Sequence, residues 1–121
     1  MLAGSPARRE LGKLGEEIAE RYLCLRGLGI LERNLRVAHK EIDLLARDGD
    51  CLVFVEVRLR RSDRFGRALE SVDPRKQARL RAALREEIRR RAWRGSYRLD
   101  LVTLDLDGSR DRLLLEHYRG L

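Results

Sequence analysis

Residues 41–58 read EIDLLARDGDCLVFVEVR, and this stretch decides the fold that the sequence predicts. Residues 52–57 are apolar on both alternating faces until Glu56, which is typical of a central strand covered on both sides. Asp48 and Gly49 form a favourable tight turn between this strand and the one before it. The stretch therefore predicts a hairpin. Burying the charge of Glu56 at the end of this strand costs free energy, so its presence indicates a functional role.

The remaining elements follow from apolar spacing and from capping residues on either side of this hairpin. Residues 11–26 carry apolar side chains every three or four positions, which indicates a helix with one buried stripe. Asp73 followed by Pro74 indicates the start of a second helix, which we expect to run to about Trp93. Residues 61–72 read as a polar connection. We expect strands at residues 30–37, 41–47, 51–60, 97–106 and 113–118. This order, α-β-β-β-α-β-β, predicts an α/β fold with about five strands flanked by helices.

The length of 121 residues suits one domain, which we place at residues 11–121 after a flexible leader at residues 1–10. No apolar stretch approaches the length of about 20 residues that a bilayer needs, and the N-terminus has no signal-peptide core. We therefore expect a cytoplasmic protein that does not enter membranes. Cys24 and Cys51 lack a CxxC or histidine-rich context, so we expect free buried thiols and neither a zinc site nor a disulfide.

Positive charge is concentrated in one part of the chain. The formal charge is +7, but residues 58–98 hold fifteen Lys and Arg against five Asp and Glu, a net of +10, which leaves −3 for the remainder. Such a region attracts phosphate backbones, so it favours nucleic acid over a small neutral substrate. A solvated helix face explains the charge about as well.

Two carboxylates stand close together in the predicted hairpin. Asp43 and Glu56 fall on neighbouring strands, which lie about 4.8 Å apart. Carboxylates at that separation repel each other unless a cation lies between them, and hard oxygen ligands favour Mg²⁺ or Mn²⁺. Arg58 is two residues after Glu56, so it shares the same face of the strand. This combination suits metal-assisted hydrolysis of a phosphodiester.

Several short motifs resemble those of the YraN family. They are Gly15-Glu16 with Ala19, Arg33-Asn34 with Arg36, Glu41-Ile42-Asp43-Leu44, Phe54-Val55-Glu56-Val57, and Arg98 with Asp100. The resemblance covers residues 11–118. That family looks like Holliday-junction resolvases and other nucleases, so the resemblance implies a restriction-endonuclease-like domain with a central mixed sheet. It also implies DNA, or RNA, as partner and, by analogy with resolvases, a homodimer.

The resemblance also implies roles for individual residues. The catalytic set is Asp43, Glu56, Arg58, Glu16 and Gln77. The metal, Mg²⁺ or Mn²⁺, is assigned to Asp43, Glu56 and Val57. Nucleic acid is assigned to the basic residues Arg36, Lys40, Arg60, Arg61, Lys76 and Arg79.

This chain departs from the family pattern at two positions. The family usually has lysine at the position of Arg58 and glycine at the position of Lys40. Arginine keeps the positive charge, but it cannot deprotonate and it binds phosphate as a planar fork. Two alternatives to a nuclease therefore stay open: an inactive nucleic-acid-binding module on a degenerate nuclease fold, and a protein-interaction domain.

Other polar and aromatic residues have ordinary structural interpretations. We expect Glu41 to point to the face of the sheet opposite to Asp43 and to pair with an arginine. Glu17 is interpreted as a solvated helix residue, and His39 and His117 as surface residues. For Trp93 and Tyr97, core packing is favoured over base stacking.

Overall fold

The computed structural model describes residues 8–61, 73–108 and 111–121. Its elements are α1 (Arg8–Leu25), β1 (Gly29–Val37), β2 (Lys40–Asp48), β3 (Cys51–Arg61), α2 (Pro74–Arg90), β4 (Ser96–Asp107) and β5 (Arg112–Tyr118). The predicted order α-β-β-β-α-β-β is confirmed. Residues 62–72 of the expected polar connection and residues 1–7 of the expected leader lie outside the described residues.

The five strands form one mixed sheet in the order β1-β2-β3-β4-β5. The pairs β1–β2, β2–β3 and β4–β5 are antiparallel, whereas β3 and β4 are parallel. The parallel pair follows from the connection, because the chain passes through α2 between β3 and β4. The predicted mixed sheet of about five strands flanked by helices is therefore confirmed.

The two helices cover opposite faces of the sheet and produce two apolar clusters. On the α1 side, buried residues include Ala19, Leu23, Leu44, Val53, Val55 and Val102. On the α2 side, they include Ile42, Leu52, Phe54, Leu80, Leu84 and Leu99. Strand β3 contributes to both clusters, which confirms that it is a central strand covered on both sides.

Local residue chemistry explains where the elements turn and end. Gly49 has a φ of 58° in the tight turn between β2 and β3, a conformation that glycine adopts without steric cost. The Asp73 side chain caps α2 by accepting a hydrogen bond from the Arg75 amide at 2.9 Å. The helix ends at Arg90, earlier than predicted, because Ala92 adopts a left-handed conformation and the Trp93 amide donates back to the Ile88 carbonyl at 3.1 Å.

Three expectations need correction. Helix α1 begins at Arg8, three residues before the predicted start. Both cysteines are free, as predicted, but Cys24 is exposed and Cys51 is only half-buried. His117 is largely buried rather than on the surface, because its Nε2 lies 2.7 Å from the buried carboxylate of Asp100.

None of the helices described here is long and apolar enough to cross a membrane.

Candidate functional site

Asp43 lies where the pairing between β2 and β3 ends. Leu44 and Val55 form the last pair of that ladder, so Asp43 and Glu56 occupy the next position on each strand. Ile42 packs on the α2 side and Leu44 on the α1 side, although residues two apart on a regular strand share a face. The alternation therefore breaks at Asp43. Its side chain instead accepts a hydrogen bond across the strands, from the Val57 amide to Asp43 Oδ2 at 2.7 Å.

The surroundings of Asp43 disfavour its negative charge. Burial is the largest influence and raises the pKa of the Asp43 carboxyl to about 6. The hydrogen bond from Val57 opposes this shift in pKa, whereas repulsion from Glu56 adds to it. A carboxyl group whose charge is costly in the folded protein gains more than an exposed one from a bound cation.

Glu56 contacts the two other residues predicted to accompany it. Gln77 of α2 faces this carboxylate and donates a hydrogen bond from Nε2 to Glu56 Oε2 at 2.7 Å. The Arg58 guanidinium lies 3.9 Å from the same oxygen, so the two residues share a face as expected. Because Gln77 is buried and hydrogen-bonded, it holds the Glu56 side chain in one orientation.

Two buried polar atoms beside Glu56 have no hydrogen-bond partner within the described part of the chain. They are the carbonyl oxygen of Gln77, which can accept a hydrogen bond, and the Nε of Arg58, which can donate one. Leaving a buried polar atom unpaired costs free energy. An acceptor and a donor left open on either side of one carboxylate suit a water molecule and an anionic oxygen.

A second group of acidic residues approaches Asp43 from the α1 side. Burial raises the pKa of Glu16, and repulsion from Asp43 and then Glu41 raises it further. The amide nitrogen of Asn34, oriented toward these carboxylates, lies 3.3 Å from Glu16 Oε1 and 3.1 Å from Glu41 Oε1. Glu16 therefore lies beside Asp43 and Glu41.

The expectation for Glu41 was wrong. It lies on the same side as Glu16 and close enough to Asp43 to raise the pKa of that group. The spacing of Glu41 and Asp43 contained the signal, because residues two apart on a strand share a face. Asn34 was missed as a member of the site as well. Asn34 has a φ of 53°, which is unusual in a strand, and the strand pattern of the sequence does not predict this conformation.

The donor set fits a hard divalent cation that keeps part of its water shell. Among residues 8–61, 73–108 and 111–121, no three His, Cys, Asp or Glu side chains lie close enough to hold a metal alone. Mg²⁺ is commonly bound by one or two carboxylates, with water and substrate phosphate filling the other positions. Asp43 and Glu56 supply those two carboxylates. Val57 has no polar side chain, and its amide is already used by Asp43, so only its carbonyl remains for a metal.

The basic residues of α2 are unevenly neutralised. Arg89, Arg90 and Arg91, at its C-terminal end, form ion pairs with Glu86, Glu87 and Glu32. Exposed residues earlier in the helix have no ion pair within the described residues, and these are Arg75, Lys76, Arg79, Arg81 and Arg85. All of these residues except Arg85 lie in the N-terminal half of α2, which also holds Gln77.

The other predicted nucleic-acid contacts are scattered over the surface. Arg36 is exposed and lines a groove with Arg89 and Arg90, at the C-terminal half of α2. Lys40 is half-buried at the start of β2, and Arg60 and Arg61 are exposed at the end of β3. Arg60 and Arg61 follow Arg58 on the same strand and extend the positive surface beyond Glu56.

Fold and site together define an α/β protein with a mixed five-stranded sheet and a partly buried carboxylate site at the end of its central hairpin. Comparison with family models places residues 15–104 in a single family, described as "Uncharacterised protein family UPF0102". The chain belongs to this family, which confirms the YraN resemblance.

Curated relatives support the same assignment over most of the chain. A UPF0102 protein of Pelotomaculum thermopropionicum is 42% identical over 115 residues, which cover 94% of this chain and 96% of the relative. A UPF0102 protein of Streptomyces griseus is 42% identical over 117 residues, covering 95% of this chain and 98% of the relative. Among solved structures, Pyrococcus furiosus SfsA in complex with Ca²⁺ aligns with a TM-score of 0.40 and 18% identity. That alignment covers 98% of this chain and 74% of SfsA.

Proposed function

We propose that this protein is a metal-dependent nuclease that hydrolyses phosphodiester bonds in DNA, with branched or single-stranded DNA as its substrate and RNA as a further one. The observation that carries the proposal is the convergence of Asp43, Glu56, Arg58 and Gln77 at the end of the β2–β3 ladder. We place this activity in the cytoplasm and assign it to a homodimer.

In this proposal, Asp43 and Glu56 hold Mg²⁺ or Mn²⁺. Such an ion, when bound, polarises the phosphoryl oxygen and lowers the pKa of a bound water. The chain's own residues keep the two carboxylates in place, because the Val57 amide binds Asp43 and the Gln77 amide group binds Glu56.

Arg58 and Gln77 supply the remaining contacts. The open Nε of Arg58 donates to a phosphate oxygen, and its charge stabilises the negative charge that grows in the transition state. The open carbonyl of Gln77 accepts a hydrogen bond from the attacking water and orients it. Glu16 and Glu41 add negative charge beside Asp43, which strengthens the attraction for a cation. The exposed basic residues at the start of α2 bind the backbone on either side of the cleaved bond.

The test is Mg²⁺-dependent cleavage of linear, flapped and four-way DNA by the purified full chain. Asp43→Asn keeps a hydrogen-bond acceptor for Val57 but removes the charge, so we expect cleavage to fall by about a hundredfold or more, as when a transition-state contact is lost. Asp50→Asn is the matched control, because Asp50 lies seven residues away in the β2–β3 turn with a side chain that is 99% exposed. Equal cleavage by native chain and Asp43→Asn on every substrate would refute the proposed nuclease.

A binding measurement tests the same metal site independently of turnover. Mg²⁺ should raise the Tm of the native chain and of Asp50→Asn, but not of Asp43→Asn, because a ligand of the folded state stabilises it. A Tm that Mg²⁺ leaves unchanged in the native chain would count against the metal site.

A second candidate function is an inactive nucleic-acid-binding module. The observation that favours it is Arg58 itself, since arginine cannot deprotonate as the usual lysine of the family can. This candidate predicts DNA binding that weakens steeply with salt, without turnover in the native chain or in Arg58→Lys. Cleavage by Arg58→Lys but not by the native chain would instead identify arginine as the cause of inactivity.

A further inference from the structure

Helix α2 covers one half of its side of the sheet and stands beside the other half. The apolar cluster beneath it takes residues from β1, β2 and β3, only Leu99 from β4 and, among the described residues, none from β5. His117 of β5 contacts Tyr22 of α1, so it lies on the α1 side of the sheet. Its neighbours Glu116 and Tyr118 then lie on the α2 side, because side chains alternate along a strand. Helix and strands therefore form a step, with α2 as its wall and β4 with β5 as its floor.

Tyr118 lies in the floor of this step, in register with the candidate site. Glu56 pairs with Leu101 of β4, and Leu101 pairs with Tyr118. The three residues form a row across the sheet, so two strand spacings, about 10 Å, separate Glu56 from Tyr118. The half-buried Tyr118 donates a hydrogen bond from its hydroxyl to Glu116 Oε2 at 3.0 Å. This bond fixes the orientation of the ring but uses only the hydroxyl, not the faces of the ring.

The wall of the step carries positive charge that is not neutralised. The flank of α2 that contains Ala83 faces β1, because Ala83 lines a groove together with Val37. The opposite flank faces β4 and β5, and its residues follow the spacing of three and four that keeps helical side chains together. They are Ala78, Arg81 and Arg85. Both arginines are exposed, and neither forms an ion pair within the described part of the chain.

A cationic wall beside an aromatic floor suits a single strand of nucleic acid. Guanidinium groups bind phosphate oxygens, whereas an aromatic ring stacks on a base. The negative charge of Glu116 repels phosphate, so it favours a strand whose backbone follows α2 and whose bases turn toward β5. Tyr118 can stack only on a base that has left its neighbours, and single strands provide such bases.

We propose that the step between α2 and β5 binds a single strand of nucleic acid, with its backbone on Arg81 and Arg85 and one base stacked on Tyr118. The strand then continues along the row toward Glu56, where the proposed hydrolysis takes place. This inference rests on the proposed nuclease function and assigns single strands to it as the substrate class, because a duplex offers no unstacked base to Tyr118.

Fluorescence anisotropy of a labelled oligodeoxynucleotide, as a single strand and as a duplex, tests the stacking. The full chain is measured in EDTA, so that binding is separated from cleavage. Tyr118→Leu should weaken binding of the single strand about fivefold to a hundredfold and leave binding of the duplex unchanged. Tyr118→Phe keeps the ring and should bind like the native chain. Tyr97→Leu is the matched control and should have no effect, because Tyr97 is an exposed tyrosine at the start of β4.

The salt dependence of single-strand binding tests the wall. Arg81→Ala and Arg85→Ala should each reduce the slope of the logarithm of the binding constant against the logarithm of salt concentration by about 0.7, because each removes one phosphate contact. Arg94→Ala is the matched control and should leave the slope unchanged, since Arg94 is exposed but lies beyond the end of α2.

Equal binding of the single strand by the native chain and by folded Tyr118→Leu would overturn the proposal, as would slopes that Arg81→Ala and Arg85→Ala leave unchanged. If Tyr118→Leu fails to fold by circular dichroism, ultraviolet cross-linking of the native chain to a strand containing iodouracil replaces it. The base should then attach to Tyr118, and attachment only elsewhere would overturn the proposal. Single-strand binding without cleavage would refute the nuclease alone, whereas cleavage with binding that does not depend on Tyr118 would refute this inference alone.

Discussion

Replacing Asp43 by asparagine should stabilise the folded protein at neutral pH while it removes the proposed activity. Burial raises the pKa of Asp43 from the ordinary value of 3.8 to about 6 in the folded protein. The folded state therefore binds the proton more tightly than the unfolded state does. Stability from this group is fully present below pH 3.8 and is lost as the pH rises to about 6. Above that pH, the charged carboxylate lowers the free energy of unfolding of the native chain by a constant amount.

The size of that cost follows from the shift in pKa. Each tenfold change in proton affinity corresponds to about 1.4 kcal/mol, so raising the pKa of Asp43 from 3.8 to about 6 corresponds to roughly 3 kcal/mol. Asparagine is uncharged at both pH 4 and pH 8, and its carbonyl can still accept the hydrogen bond from Val57. The variant should therefore gain roughly 2–3 kcal/mol relative to the native chain between pH 4 and pH 8.

Urea unfolding of both proteins at pH 4 and pH 8, without divalent metal, measures this quantity. The expected result is a difference in the free energy of unfolding that is small at pH 4 and favours the variant at pH 8. Asp50→Asn is the control, because its exposed side chain should give no such dependence. A difference between the native chain and Asp43→Asn that is the same at both pH values would refute the assignment of a buried, destabilising charge at this position.

Three further predictions concern what holds the sheet and helices together. Leu84→Ala should lower the free energy of unfolding by about 2–5 kcal/mol in urea titration, because Leu84 is fully buried between α2 and the sheet; a loss below 1 kcal/mol would contradict that packing. Asp100→Ala should cost about 3–5 kcal/mol in the same assay, since it leaves Arg98 without the buried carboxylate that also contacts His117; Asp100→Asn should cost less. The pKa of Glu87 is held below its ordinary value of 4.5, chiefly by a hydrogen bond from Arg90, so its stabilisation is present above pH 4.5 and is lost as the pH falls through the lowered pKa. The Tm of Glu87→Gln should accordingly fall less than that of the native chain between pH 6 and pH 3, and parallel curves would argue against this ion pair.

The elements of the fold were largely predictable, because each depends on local patterns. The apolar run ending at Glu56 identified the central strand, and Asp73 with Pro74 identified the start of α2. The contact between Gln77 and Glu56 was expected only from the resemblance to the YraN family. Composition and spacing would have assigned Gln77 to the core, since it lies on the apolar face of its helix.

The acidic group around Asp43 was predicted less well. Glu41 was assigned to the wrong face, and Asn34 was identified only as part of a motif that carries the family resemblance. The Glu41 error contradicts regular alternation, because residues two apart on a strand share a face, whereas the position of Asn34 depends on its left-handed conformation in β1. His117 was placed on the surface, whereas in the structure it contacts Tyr22 and Asp100, which are distant in the chain.

The sequence by itself determined the order of helices and strands, the burial of β3 on both faces, the position of the positive charge and the family. These properties depend on side chains a few residues apart, whose spacing is set by the period of a helix or strand. Only the tertiary structure decided which polar atoms meet. The β2–β3 ladder ends at Asp43, α2 brings Gln77 to Glu56, and ion pairs neutralise the arginines at the C-terminal end of α2. Such encounters depend on how distant segments pack, because a carboxylate's pKa and a free hydrogen-bonding atom are set by what surrounds them in space.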